Sequence, residues 1–127
     1  MTRQSVQTDR APKAIGPYSQ AIIANGFVFC AGQVAIDPTT GKLVEGGIGE
    51  QTAQAIKNVS AVLEAAGTSL QNVVKTTVFL HSLSDFQAMN KVYAEYFTAT
   101  PPARSSLGDL DLPLGAQVEI EAVAVIP

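Results

Sequence analysis

Two stretches, Pro101-Pro102-Ala103-Arg104-Ser105-Ser106 and Gln117-Val118-Glu119-Ile120-Glu121, hold the residue types in this chain best suited to chemistry. The prolines cannot continue a helix, so Arg104 is delivered into an extended segment, and an arginine taken out of water asks for an anion. Glu119 and Glu121 are separated by one residue, and alternate residues of a strand point the same way, so both carboxylates share a face. Two readings stay open. Arg104 and the carboxylates form an internal ion pair that fastens a sheet, or they line a pocket where Arg104 holds a substrate carboxylate while a glutamate handles protons.

The elements that must position these groups follow from periodicity. Thr2 to Lys13 reads as a polar arm. Ala21–Ala24 and Phe27–Cys30 are short β-prone runs joined by Asn25-Gly26, the strongest local signal for a tight hairpin. Ala31–Ile36 continues extended, and Gly32 within it marks a bulge or a point where a ligand or another backbone comes close. Asp37-Pro38-Thr39-Thr40-Gly41 is a turn, and Gly46-Gly47-Ile48-Gly49 a mobile connector. From Glu50 to Ala66 the period becomes helical: Ile56, Val59, Leu63 and Ala66 lie on one side, and Gly67 stops the helix.

Val73–Leu80 is β-branched and long enough for a central strand, with His81 just past its end. Ser84-Asp85-Phe86-Gln87 reads as a capping box opening a second helix, whose inward stripe is Phe86, Met89, Tyr93 and Phe97, with Asn90 near it. Ala103–Leu110 and Gln117–Ile126 are the last strands, joined by a connector at Asp111–Gly115. Each helix has one apolar stripe, which predicts an α+β single domain: a mixed sheet with both helices on one face and an N-terminal hairpin. On the other face Val123 and Val125 accompany Glu119 and Glu121, a mixture suited to an interface, so an oligomer is expected.

Composition sets limits on function. The 127 residues suffice for one domain, and 46% hydrophobic against 15% charged residues describe a globular protein light on surface charge. The net charge of −3 argues against a broad phosphate-binding face, so nucleic acid is an unfavoured partner. Cys30 is the only cysteine and reads as a small buried hydrophobe, which leaves no disulfide and no thiolate metal site. No apolar run reaches the ~20 residues that span a bilayer, and the first residues lack the apolar stretch of a signal peptide, so a cytoplasmic location and no membrane partner are expected. No phosphate loop, nucleophile elbow, His-Glu-x-x-His or Cys-x-x-Cys occurs, and neither a nucleotide cofactor nor a metal is called for.

Ile15-Gly16-Pro17-Tyr18-Ser19-Gln20, Ala31-Gly32-Gln33, Val74-Lys75-Thr76-Thr77-Val78-Phe79, Pro102-Ala103-Arg104-Ser105 and Val118-Glu119-Ile120-Glu121-Ala122 occur together in an order and spacing that resembles the RidA (YjgF-type) family of imine and enamine deaminases, from about Ala14 to Val125. The resemblance implies a chorismate-mutase-like fold, a homotrimer with sites at subunit interfaces, and hydrolysis of reactive 2-imino acids, such as 2-iminopropanoate and 2-iminobutanoate, to 2-keto acids and ammonia without a cofactor.

It also places the family's carboxylate-binding arginine on Arg104, its water-positioning glutamate on Glu119 and its substrate-site tyrosine on Tyr18. Asn90, Ser106 and Gly32 complete the expected substrate site, with Ser106 where the best-studied members carry cysteine and Ala31 where many carry serine. An imine protonated on nitrogen is already electrophilic, so such an enzyme need only hold the carboxylate, place a water over the carbon and accept its proton. Burial would raise the pKa of Glu119 and a nearby Arg104 would lower it. Two other functions compete: a module that binds small carboxylates without turnover, and an endoribonuclease, against which the acidic balance counts.

Overall fold

The computed structural model describes residues 2–127. In chain order it contains β1 (Arg3–Val6), β2 (Ala21–Ala24), β3 (Phe27–Val34), β4 (Ile36–Asp37), β5 (Lys42–Leu43), α1 (Ile48–Ala65), β6 (Val73–Leu80), α2 (Phe86–Tyr96), β7 (Ala103–Leu107) and β8 (Val118–Val125). Asn25 and Gly26 take φ of 53° and 80°, which is the backbone a two-residue hairpin turn demands, and they join β2 to β3 as expected. The main sheet runs β1-β2-β3-β8-β6-β7, antiparallel except for the parallel edge pair β6 and β7, which α2 connects. β4 and β5 form a separate small hairpin.

Alternation divides the sheet into two unlike faces. Val28, Cys30, Val78, Leu80, Val118, Ile120, Ala122 and Ala124 are buried beneath the helices, against Ile56, Val59 and Leu63 of α1 and Met89 and Tyr93 of α2. Phe27 and Phe29 pair across the strands with Val125 and Val123 on the other face, and both rings remain exposed. An apolar sheet face left in water points to a covering partner.

Several expectations change. Arg3–Val6, expected in a polar arm, is an edge strand paired antiparallel with β2, and only Val6 of its four residues is buried. The glycine connector is shorter than expected: α1 already begins at Ile48, where Glu50 Oε1 accepts the Gly47 N–H at 2.8 Å and so satisfies an otherwise free amide. No Ser84–Gln87 box forms. Leu83–Asp85 is a 3-10 turn in which Ser82 Oγ accepts the Ser84 N–H, and α2 starts only at Phe86. β7 stops at Leu107, three residues early: Asp109 turns the chain at φ 59°, and Gly108 before it packs so tightly on Leu83 that a Cβ there would collide.

Candidate functional site

Glu119 lies near the start of β8, between Val34 of β3 and Phe79 of β6, on the face away from the helices. The register of β3 against β8 slips between Cys30 and Gln33, and Gly32 sits in that bulge. The Glu119 side chain lies directly over it, so closely that a Cβ at Gly32 would collide with the carboxylate. Gly32 is a glycine because this carboxylate occupies the space. Partial burial, and secondarily the nearby charge of Glu121, raise the pKa of Glu119 above the ordinary carboxyl value of 4.5. The raising effects dominate, since Arg104 is not beside it.

Tyr18 reaches the same place from the loop before β2. Its N–H donates to the Gly16 carbonyl at 2.8 Å and its hydroxyl accepts the Ile15 N–H at 3.3 Å, so the ring is held by its own turn. Behind the loop, the Gln20 side chain is a clamp. Its Oε1 accepts the Thr8 N–H at 2.7 Å, and its Nε2 donates to the carbonyls of Thr8 and Pro12 at 3.1 and 2.8 Å, with Ala11 O at 3.5 Å. Tyr18, Gly32 and Glu119 line one cleft, to which Lys13, Ile15 and Leu114 also contribute. Its volume is about 60 Å³. Small-molecule sites usually offer roughly 300–1,000 Å³, so the cleft of the single chain does not enclose a ligand.

Arg104 is elsewhere. It pairs in register with Thr76, whose side chain is fully buried under the helices, and it therefore projects from the helix-bearing face at the sheet edge. Its guanidinium lies 4.8 Å from the ring centre of Tyr93 and 5.5 Å from that of Phe86. Tyr93 is itself fixed by a 2.7 Å hydrogen bond between its hydroxyl and Thr76 Oγ1, and burial raises its pKa, so the ring is neutral and firmly placed. A cation on aromatic faces keeps its donors available. Among the described residues the one ion pair is Arg10–Glu64, so the reading of Arg104 as a strut to Glu119 or Glu121 within the chain does not hold.

Ser106, two residues along β7, shares the Arg104 face. Asn90 lies between Phe86 and Tyr93 on α2, and its Oδ1 is buried without a hydrogen-bond partner among the described residues. The expected site residues thus form two groups: Tyr18, Gly32 and Glu119 on one face, and Arg104, Ser106 and Asn90 on the other. His81 joins neither. Its Nδ1 lies 2.9 Å from the Leu110 carbonyl, which ties down the loop after β7. No group of three or more His, Cys, Asp or Glu side chains converges among the described residues. The sequence does not single out Lys13, Ile15 or Leu114 as site residues; for the last, an isolated leucine between proline and glycine, in a connector with no long helix or strand to bury it, is the available signal.

The model of the family described as Endoribonuclease L-PSP matches residues 8–126. The chain belongs to the RidA (YjgF) family. Among RidA relatives, a RutC family protein of Pyrococcus horikoshii is 52% identical over 122 residues, covering 96% of this chain and 97% of that one. The human protein named 2-iminobutanoate/2-iminopropanoate deaminase is 45% identical over 125 residues, covering 98% of this chain and 91% of its own. The crystal structure of RidA from an Antarctic Psychrobacter superposes with a TM-score of 0.93 at 43% identity, covering 97% of this chain and 99% of that one. The sheet with two helices on one face is the RidA version of the chorismate-mutase-like fold. No helix is long and apolar enough to cross a membrane among the described residues.

Proposed function

We propose that this chain hydrolyses reactive 2-imino acids to 2-keto acids and ammonia, without a cofactor, at sites shared between neighbouring subunits of a cytoplasmic homotrimer. The observation that carries this reading is the separation of the two halves of the site onto opposite sheet faces, each lacking what the other has. Arg104, at the exposed sheet edge with no carboxylate partner, suits a ligand carboxylate, and Glu119, half-buried in a cleft too small to close, suits proton transfer. In a closed ring of head-to-tail contacts each protomer presents one surface to the next and receives the other, so both halves meet at every interface. The exposed Phe27 and Phe29 give such a ring an apolar face to bury.

The chemistry follows from the groups. Arg104 binds the substrate carboxylate through two parallel N–H donors, and Ser106 and Asn90 flank it. Glu119, ionised, accepts a proton from a water as its oxygen bonds to the imine carbon. The proton then passes to nitrogen, and as the C–N bond breaks Glu119 takes up the proton of the new hydroxyl while its oxygen forms the C=O bond, so ammonia leaves with the keto acid behind. Tyr18, which lines the same cleft as Glu119, forms one wall of this centre. The same activity gives the human relative its name. The family description names a ribonuclease, but a net charge of −3 offers little to a polyanion.

The decisive test is complementation. Arg104→Ala and Glu119→Gln, each nearly inactive alone, are co-expressed and the mixed oligomers purified. If every site draws one group from each neighbour, random mixing restores about a quarter of the sites. A mixture as inactive as its parts rejects the shared site, and a wild-type chain that does not accelerate keto-acid formation from a fresh imino acid leaves only a carboxylate-binding role.

A further inference from the structure

The wall of the Glu119 cleft contains a leucine in a backbone conformation that leucine seldom adopts. Leu114 has φ 60° and ψ 19°, inside a turn opened by Pro113 and closed by Gly115 at φ 72°. Glycine would accept this geometry freely, whereas a residue with a Cβ is strained in it. The leucine is also not hidden: it is 61% exposed, and Ile15, in the same cleft, is 72% exposed. Strain and exposed apolar surface are both unfavourable for the isolated fold. Their coincidence beside a candidate proton acceptor is the mark of a residue kept for what it touches.

A 2-imino acid carries three substituents on its reacting carbon. On the reading given above, the carboxylate goes to Arg104 and the imine nitrogen and attacking water lie at Glu119. The third substituent then faces what remains of the cleft, and apart from Lys13 and the glutamines that lining is apolar: Pro12, Ile15, Val34, Ile36, Pro113 and Leu114. We infer that Leu114, together with Ile15, is the specificity-determining contact for the substrate side chain and selects aliphatic side chains larger than a methyl group. The inference rests on the imine-deaminase reading and adds the class of substrate that the site takes. An apolar rim favours an apolar substituent by excluding water from both, and Leu114 and Ile15 themselves offer a charged one nothing to replace its hydration.

The test compares two imino acids generated in place by an amino acid oxidase: 2-iminopropanoate and the branched imino acid derived from leucine. The readout is the ratio of their kcat/KM values in the parent, in Leu114→Gly and in Ile15→Ser. Leu114→Gly is informative because it relieves the backbone strain, so its melting temperature should hold or rise and lost selectivity cannot be ascribed to misfolding. The expected result is a preference for the branched substrate in the parent that falls about tenfold in Leu114→Gly, mainly through KM, and also falls in Ile15→Ser. A parent that hydrolyses both imino acids, with a ratio that Leu114→Gly leaves untouched, overturns the side-chain contact and spares the deaminase reading. Equal loss on both substrates with a fall in oligomer mass makes Leu114 an interface residue and likewise overturns it. A parent that hydrolyses neither overturns the deaminase reading, and the inference with it.

Discussion

Arg104 and Glu119 project from opposite faces of the same sheet. β6 shows why: Thr76 pairs with Arg104 and Phe79 pairs with Glu119, and three positions along a strand is an odd step. No rotamer change brings the two side chains together within one chain. Any chemistry that uses both is chemistry of an assembly.

Glu119→Gln preserves shape and removes the proposed proton acceptor. Turnover should fall by ~10²-fold or more while ligand binding persists. The raised pKa adds a sign. Between the ordinary carboxyl value of 4.5 and the raised one, the folded state holds a proton that the unfolded chain has released, so stability falls as pH rises through that window. Activity that needs the ionised base rises through the same window. Melting temperature and rate measured against pH should therefore run in opposite directions in the parent, and the glutamine variant should lose this feature of its stability profile. Parallel trends in the parent would place the base elsewhere.

Arg104→Lys keeps the charge and discards the planar fork. If two hydrogen bonds hold a carboxylate, losing one costs roughly 1.5 to 3 kcal/mol, or about 10- to 100-fold in catalytic efficiency. Stability should move little, because among the described residues no carboxylate pairs with Arg104 and the aromatic contact contributes only about 0.5 to 1 kcal/mol. Catalytic efficiency and thermal unfolding on one sample decide it: a destabilised variant with undiminished efficiency would make the arginine a structural residue.

Gly32→Ala tests placement rather than identity. The added Cβ meets the far end of the Glu119 side chain, which can swing aside, so the fold should survive while the carboxylate is displaced. We expect at least about tenfold loss of turnover with an unchanged circular dichroism spectrum. Full activity would mean that the position of Glu119 is not critical.

Cys30 should be silent. It is 5% exposed on the helix-covered face, and burial, helped by the charge of Glu121, pushes its pKa up to about 12. Thiolate is the reactive form, so a thiol reagent should modify the native protein only as fast as it unfolds. Rapid labelling without loss of structure would contradict this burial.

Much of the fold was legible because its signals are local. Asn25-Gly26 specified a hairpin, the spacing of Ile56, Val59 and Leu63 specified α1, and Val73–Leu80 was a strand to the residue. β1 was not legible: only Val6 of Arg3-Gln4-Ser5-Val6 is apolar and buried, and its strand character comes from pairing with β2. The site divides in the same way. Within one strand the shared face of Glu119 and Glu121 could be read directly, but the relation of Glu119 to Arg104 depends on how three strands register, which is fixed by non-local packing. The strained turn at Leu114 was likewise hidden, since nothing in Leu112-Pro113-Leu114-Gly115 states which residue takes the positive φ.

The Gln20 clamp concentrates a vulnerability in a single atom. The chain from Thr8 to Pro12 belongs to no strand or helix, yet it supplies part of the cleft wall, and several of its backbone groups are addressed by one amide. Gln20→Glu exchanges the amide nitrogen for oxygen and turns a donor aimed at carbonyls into a negative acceptor facing them. A coding change of one nucleotide can make that exchange. The segment would then be repelled rather than held, and a lesion far from any reacting atom would unmake the cleft while leaving the hydrophobic core intact.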